Sequence, residues 1–292
     1  MQLDSSPDML RAHTWTLADE IGERNVFRPD ALHWAERYIT QTWHEQGYEV
    51  VPQEYTLRAA RSANLEITRY GKSRPNEILL LGAHYDSVVG SPGANDNASG
   101  VAALLELSRL FASTEPARTV RFVAFVNEEP PFFMSRDQGS RHYARAARRR
   151  DDDIRLMLSL ETLGYYCNDP GSQRYPPLFR LFYPDRADFV AFVSNFRSRR
   201  AMLELARAFR ASTDFPLQHA ATFSFVPGVA WSDHLSFWLR RYKALMVTDT
   251  AFYRYPYYHT PLDTPEKLDY ESLARVTTGL HKAVGRLAQA PL

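Results

Sequence analysis

The apolar stretch Ile78–Gly82 runs directly into His84-Tyr85-Asp86, and a second, Val120–Val126, runs into Asn127-Glu128-Glu129. A third, Ile154–Leu160, ends in Glu161, and Tyr258-His259-Thr260 sits in an aromatic-rich loop further on. Between the first two lies Gly93-Ala94-Asn95-Asp96-Asn97-Ala98-Ser99-Gly100, which opens a helical pattern. Each feature alone has an ordinary reading: Asp96 as a helix N-cap, the Glu-Glu pair as a solvated loop, a histidine as a surface residue. Together they would bring five carboxylates and two imidazoles to one sheet edge, repelling one another and stripped of water. Divalent metal ions compensate such a cluster. Two histidines with carboxylates and no thiolate suit zinc in a catalytic role.

For these groups to meet, the apolar stretches must be neighbouring strands. Continuous apolar runs of this length read as strands buried on both faces. Helical patterns near 98–112 and 139–150 separate them, so strand, helix, strand, helix, strand predicts an open, largely parallel sheet. Such sheets place ligands at the carboxyl ends of their strands, where the polar groups stand here. Before them, amphipathic helices are expected near 8–22 and 30–46, the second with Ala31, Trp34, Ala35, Tyr38 and Ile39 at helical spacing. Strands are expected near 48–57 and 63–70. After them come helices near 186–210 and from Asp233, a strand near 244–249 and a long helix near 266–288. The expectation is one α/β domain over residues 1–292. Its mostly parallel, mixed central sheet is flanked by helices, with the N-terminal helices (1–46) packed on it.

Composition excludes several function classes. With 292 residues, 45% hydrophobic and 24% charged, the chain is an ordinary globular one. A net charge of +1 offers nothing to nucleic acid or an anionic membrane. The run Arg148–Arg150, met at once by Asp151–Asp153, reads as a solvated helix end. A single cysteine, Cys167, rules out an intrachain disulfide and a cysteine-built zinc site. No run approaches the roughly 18 apolar residues of a membrane span. The start MQLDSSPDML lacks a signal-peptide pattern, so the chain as it stands reads as cytoplasmic; an exported mature form would look the same. Oligomeric state is not readable.

The segments HYDS, GANDNASG, NEE and YHTPLDT, colinear from about residue 77 to 270, resemble the signature segments of the co-catalytic zinc aminopeptidase family. That family also contains glutamate carboxypeptidases and glutaminyl cyclases. The resemblance implies two Zn2+ ions bridged by Asp96, one completed by His259 and Glu129, the other by His84 and Glu161. It implies Glu128 as general base, Asp86 as the carboxylate that fixes the His84 tautomer, and a cis peptide between Asp96 and Asn97. Ser232-Asp233-His234 resembles a further segment near the site, where Asp233 and His234 would support the site or meet substrate; an N-cap ahead of a short helix explains them as well. The aromatic run Phe252–Tyr258 reads as a side-chain pocket or as packing, with Arg254 a candidate for a substrate carboxylate. Two features depart from the family: Glu161 stands where many aminopeptidases have Asp, and Pro130–Gln138 is a longer loop, reminiscent of glutaminyl cyclases. The implied activity is hydrolysis of N-terminal residues from a peptide substrate. The alternatives are a single-zinc glutaminyl cyclase-like acyltransferase and a non-catalytic peptide-binding relative.

Overall fold

The three apolar stretches become adjacent parallel strands. In the computed structural model, which describes residues 4–57, 60–177 and 179–290, these are β3 (Arg74–His84), β4 (Arg118–Phe125) and β5 (Asp153–Glu161). They follow β1 (Val51–Leu57) and β2 (Ala60–Arg69). β8 (Ala244–Thr248) continues the parallel core beside β5. The sheet has eight strands in the order β1-β2-β4-β3-β5-β8-β6-β7, where β6 is Val190–Ser194 and β7 is Leu217–Ala221. β1 and β2 pair antiparallel at one edge, and β6 runs antiparallel to β8 with β7 parallel beside it.

Strand alternation divides the core between two faces. Leu79, Leu81 and Ala83 of β3 pack with α3 (Gly100–Ala112), α5 (Arg199–Arg210), α7 (Tyr270–Gln289) and the N-terminal helices α1 (Pro7–Trp15) and α2 (Pro29–Glu45). Ile78 and Leu80 point the other way, into a smaller core with α4 (Gly139–Arg149) and α6 (His234–Leu239). That second layer of helices ends at β8. On β8, β6 and β7 the same face carries Met246, Ala191, Val193 and Ala220, and these line a cavity.

The expected helix near 186–210 is thus in part a strand. Val190-Ala191-Phe192-Val193 is β-branched and aromatic, and Asn195 ends it by accepting a hydrogen bond from the Ser198 amide before α5 begins. β7 carries no strong pattern and was not expected. The first expected helix is found over residues 7–21, as α1 followed without a break by a wider helical turn, Thr16–Ile21, closed by Gly22 at φ 75°. The last helix starts at Tyr270, capped by the Asp269 carboxylate, which accepts from the Ser272 amide at 2.9 Å. Among the described residues, no helix is long and apolar enough to cross a membrane.

Two glycines predict opposite outcomes. A Cβ on Gly100 would lie 2.6 Å from the Leu160 carbonyl and collide with the Asn97 side chain, whereas Gly285, inside α7, faces open space. Gly285→Ala should stabilise by about 0.5–1 kcal/mol by removing backbone freedom. Gly100→Ala should destabilise by about 1–3 kcal/mol because packed backbone must shift. Denaturant unfolding of both variants checks the contrast.

Candidate active site

β3 ends in His84, and the loops after the other parallel strands turn toward it. At the end of β4, Asn127 adopts a left-handed conformation at φ 59°, which asparagine tolerates. Its amide donates to Ser62 Oγ at 2.9 Å and to Tyr55 Oη at 3.2 Å. The turned chain presents the Glu128 and Glu129 amides to the Asp86 carboxylate, both at 3.1 Å. Asp86 therefore anchors the Glu-Glu turn. Its contact with His84 runs mainly through its backbone: the carbonyl lies 3.2 Å from Nδ1, the carboxylate 3.7 Å.

Asp96 sits in a turn whose Asp96–Asn97 peptide bond is cis. The Asn95 and Asp96 amides donate to the two oxygens of Asp263, at 2.7 and 3.1 Å. Asn97 ties the turn to the end of β5, donating to the Leu160 carbonyl at 2.8 Å and accepting from the Thr162 amide at 3.0 Å. The result is one carboxylate between two imidazoles. His84 Nε2 is 3.2 Å from Asp96 Oδ1 and 3.5 Å from Glu161 Oε2. His259 Nε2 is 3.0 Å from Asp96 Oδ2 and 3.4 Å from Glu129 Oε1. Two sets of three potential ligand atoms result, His84–Asp96–Glu161 and Asp96–Glu129–His259, each within 4.8 Å, sharing Asp96.

These separations fit a metal. Two ligand atoms about 2.0–2.1 Å from a tetrahedral zinc stand roughly 3.3–3.4 Å apart. Asp96 Oδ1 and Glu129 Oε1, both buried, make no aligned hydrogen bond although a histidine nitrogen is close to each. Lone pairs converging on a common point produce that arrangement. Glu161 reaches the cluster despite its extra methylene, with Oε2 held by the Ser232 hydroxyl at 2.6 Å.

Without cations the cluster is electrostatically frustrated. Burial alone would lower both imidazoles, but the surrounding carboxylates outweigh it: His84 is pushed well above its usual value and His259 up to about 10. Burial, with Asp96 beside it, pushes Glu129 up to about 7. Glu128 is driven well above the usual carboxylate range by burial, opposed by His84 and reinforced by Glu129, Glu161 and Asp233. Its Oε1 accepts from the Gln138 amide at 3.2 Å, a contact supplied by the long loop Pro130–Gln138.

The segment after Ser232 divides. Asp233 is fully buried, neither oxygen has a hydrogen-bond partner among the described residues, and burial raises it to about 7 against the pull of His84. The His234 ring packs edge-on against Trp238, with Nε2 bonded to the Val229 carbonyl at 2.8 Å, and it joins neither ligand set.

Arg254 is buried and committed to protein groups: Nε to Gln173 Oε1 at 2.8 Å and Nη1 to the Phe189 carbonyl at 2.8 Å. Its Nη2 has no hydrogen-bond partner among the described residues, so the arrangement leaves one guanidinium nitrogen uncommitted. Phe252, Tyr253 and Tyr258 do line a half-open cavity, together with Trp231, Val193 and Glu161. Tyr258 stacks on the His259 ring at 3.9 Å, joining cavity wall to cluster.

Sequence reasoning missed Asp263 and Asn97 as organisers. Both lie inside the segments singled out above, Asp263 within YHTPLDT and Asn97 within GANDNASG.

Residues 64–284 match the model of peptidase family M28. The uncharacterized protein YfbL of Escherichia coli is 37% identical over 285 residues, covering 94% of this chain and 87% of that one. Among solved structures, the zinc aminopeptidase BSAP of Bacillus subtilis superposes with a TM-score of 0.79 at 15% identity, over 98% of this chain and 96% of that one. The glutaminyl cyclase of Fimbriiglobus ruber gives a TM-score of 0.75 at 20% identity, over 99% and 97%. At those identities the two structures speak to fold alone, whereas the family match covers most of the chain: this protein belongs to peptidase family M28 and is a zinc metallopeptidase.

Proposed function

We propose that the protein is an aminopeptidase that removes large, uncharged residues from peptide N-termini, using two zinc ions that share Asp96. His84 and Glu161 would complete one site, Glu129 and His259 the other. The observation that carries this reading is the position of Asp96, with one oxygen toward each imidazole. Zinc bound there supplies a Lewis acid for the scissile carbonyl and an acidified water.

The chain's own groups do the rest. Glu128, buried beside the cluster but in neither ligand set, is the group that accepts a proton from water and returns it to the leaving amine. In the metal-free protein its proton is held too tightly for that role; neighbouring dications would pull the value down toward neutrality. Gln138 fixes one of its oxygens. Counted as ionised, the six buried carboxylates Asp86, Asp96, Glu128, Glu129, Glu161 and Asp233, with Asp263 beside them, exceed the charge of two dications and the buried Arg24. A substrate ammonium is favoured there and a carboxylate is not. Among the described residues the cavity has no lysine or arginine in its lining, and its acidic lining residue is Glu161 of the proposed ligand set. Its walls are mainly aromatic and aliphatic, which supports a bulky neutral side chain over a charged one.

Glu128→Gln should lower kcat by about 10²–10⁴ while zinc content stays at the wild-type value. Wild-type turnover in that variant would remove the proposed base.

Metal binding should depend on pH with a definite sign. Zinc takes neutral imidazole, yet His259 in the metal-free protein keeps its proton up to about 10. Zinc uptake at neutral pH should therefore release protons, and apparent affinity should rise between pH 6 and about 9. Calorimetry in buffers of different ionisation enthalpy measures the release. The raised value also means that the His259 contribution to metal-free stability is full below 6.5 and lost as pH rises toward about 10, an effect zinc should abolish.

Phenylalanyl and leucyl anilides should be cleaved at least tenfold more efficiently than lysyl, aspartyl or N-acetylated ones, with activity lost to chelators. Mass spectrometry of a Gln-peptide separates the cyclase reaction, which loses ammonia without shortening the chain.

A further inference from the structure

A second arginine, Arg24, lies fully buried behind the cluster, and neither the family motifs nor the proposed mechanism uses it. Gly22 closes the wide turn after α1 at φ 75°, and two residues later the Arg24 side chain enters the interior. All of its hydrogen bonds go to backbone carbonyls. Nε donates to Tyr85 at 2.7 Å, Nη1 to Leu17 and Gly22 at 3.2 Å and to Pro92, and Nη2 to Gly93 at 2.9 Å. Among the described residues no carboxylate lies within ion-pair distance of it. Its charge is nevertheless felt by Asp86, Asp263, Asp96 and Glu129.

The carbonyls it binds are what give it a role. Tyr85 stands between His84 and Asp86; Pro92 and Gly93 stand just before the turn that carries Asp96. One planar guanidinium thus spans the two chain segments that carry the closest His–Asp contact of the His84 set. The backbone strengthens this strap: the Arg24 amide donates to Ser87 Oγ at 3.1 Å, and the Ser87 amide donates back to the Arg24 carbonyl at 2.9 Å. Lysine has no fork and cannot serve both segments along these directions.

We propose that Arg24 is a positioning residue for the metal centre. It fixes the separation of His84 and Asp96 through their backbones and places a permanent positive charge behind the carboxylates. This rests on the two-zinc reading above.

The test uses the full chain with two variants, Arg24→Lys and Ser87→Ala. Zinc affinity is measured by competition with a chromogenic chelator, with melting temperature in chelator and in zinc, and with kcat and KM on a phenylalanyl anilide. Arg24→Lys should lose about tenfold to a hundredfold in zinc affinity, as expected when support behind a metal ligand is removed. Its zinc-induced rise in melting temperature should shrink, and kcat should fall with KM within about threefold of wild type. Ser87→Ala should weaken zinc in the same direction by a smaller factor. A purely structural role would lower the melting temperature equally with and without zinc and leave zinc affinity unchanged; that result overturns the proposal. Should Arg24→Lys fail to fold, wild-type zinc affinity in Ser87→Ala overturns it instead. If wild type itself binds no zinc, the metal reading fails and this role falls with it; if wild type binds two ions and the variants bind them equally well, only this role fails.

Discussion

Carboxylates held close together out of water repel one another, and each also loses its hydration. Around His84 and His259 the chain gathers Asp86, Asp96, Glu128, Glu129, Glu161 and Asp233, all buried. Two imidazoles cannot neutralise six such groups, and the raised values at Glu128, Glu129 and Asp233 express the imbalance. The fold keeps this arrangement because it is anchored elsewhere: by Asp263 and Asn97 on the Asp96 turn, by Asp86 on the Glu-Glu turn, and by Ser232 on Glu161. A rigid frame around an uncompensated cluster is what a resident metal centre requires.

The frame and the cavity come from different halves of the sheet. Parallel strands β3, β4, β5 and β8 bring His84, the Glu-Glu pair and Glu161 to one edge, as open α/β sheets do. Among the described residues, one face of the extension through β6 and β7 is covered by loops and short 3-10 turns rather than by an α-helix. Space for a side chain opens there beside Glu161 and Tyr258. Cluster and cavity are thus separable: substitutions at Ala191 or Val193 would change the cavity without touching a proposed ligand.

How much was legible in the sequence follows from how each part is stabilised. Strands buried on both faces must be apolar throughout, so β3, β4 and β5 stand out as runs, and the polar residues that end them stand out too. β7 is the edge strand and β6 the one beside it, each with one face toward α5 and the other toward a cavity. Their five residues each carry no long run, and the helical spacing of α5 absorbed β6 into a longer helix. Asp263, Asn97 and Arg24 were illegible for another reason. Their work is to bind backbone atoms tens to more than a hundred residues away, and backbone leaves no mark in a residue pattern. His234 looked chemical because of its neighbours Ser232 and Asp233, yet its ring is used in packing.

The central claim is that Asp96 stands between two cations. A crystal grown with zinc and measured at the zinc absorption edge tests it most directly. The account predicts two anomalous peaks flanking Asp96, one touching His84 and Glu161, the other Glu129 and His259. No peak, a single ion, or ions bound away from Asp96 would contradict it.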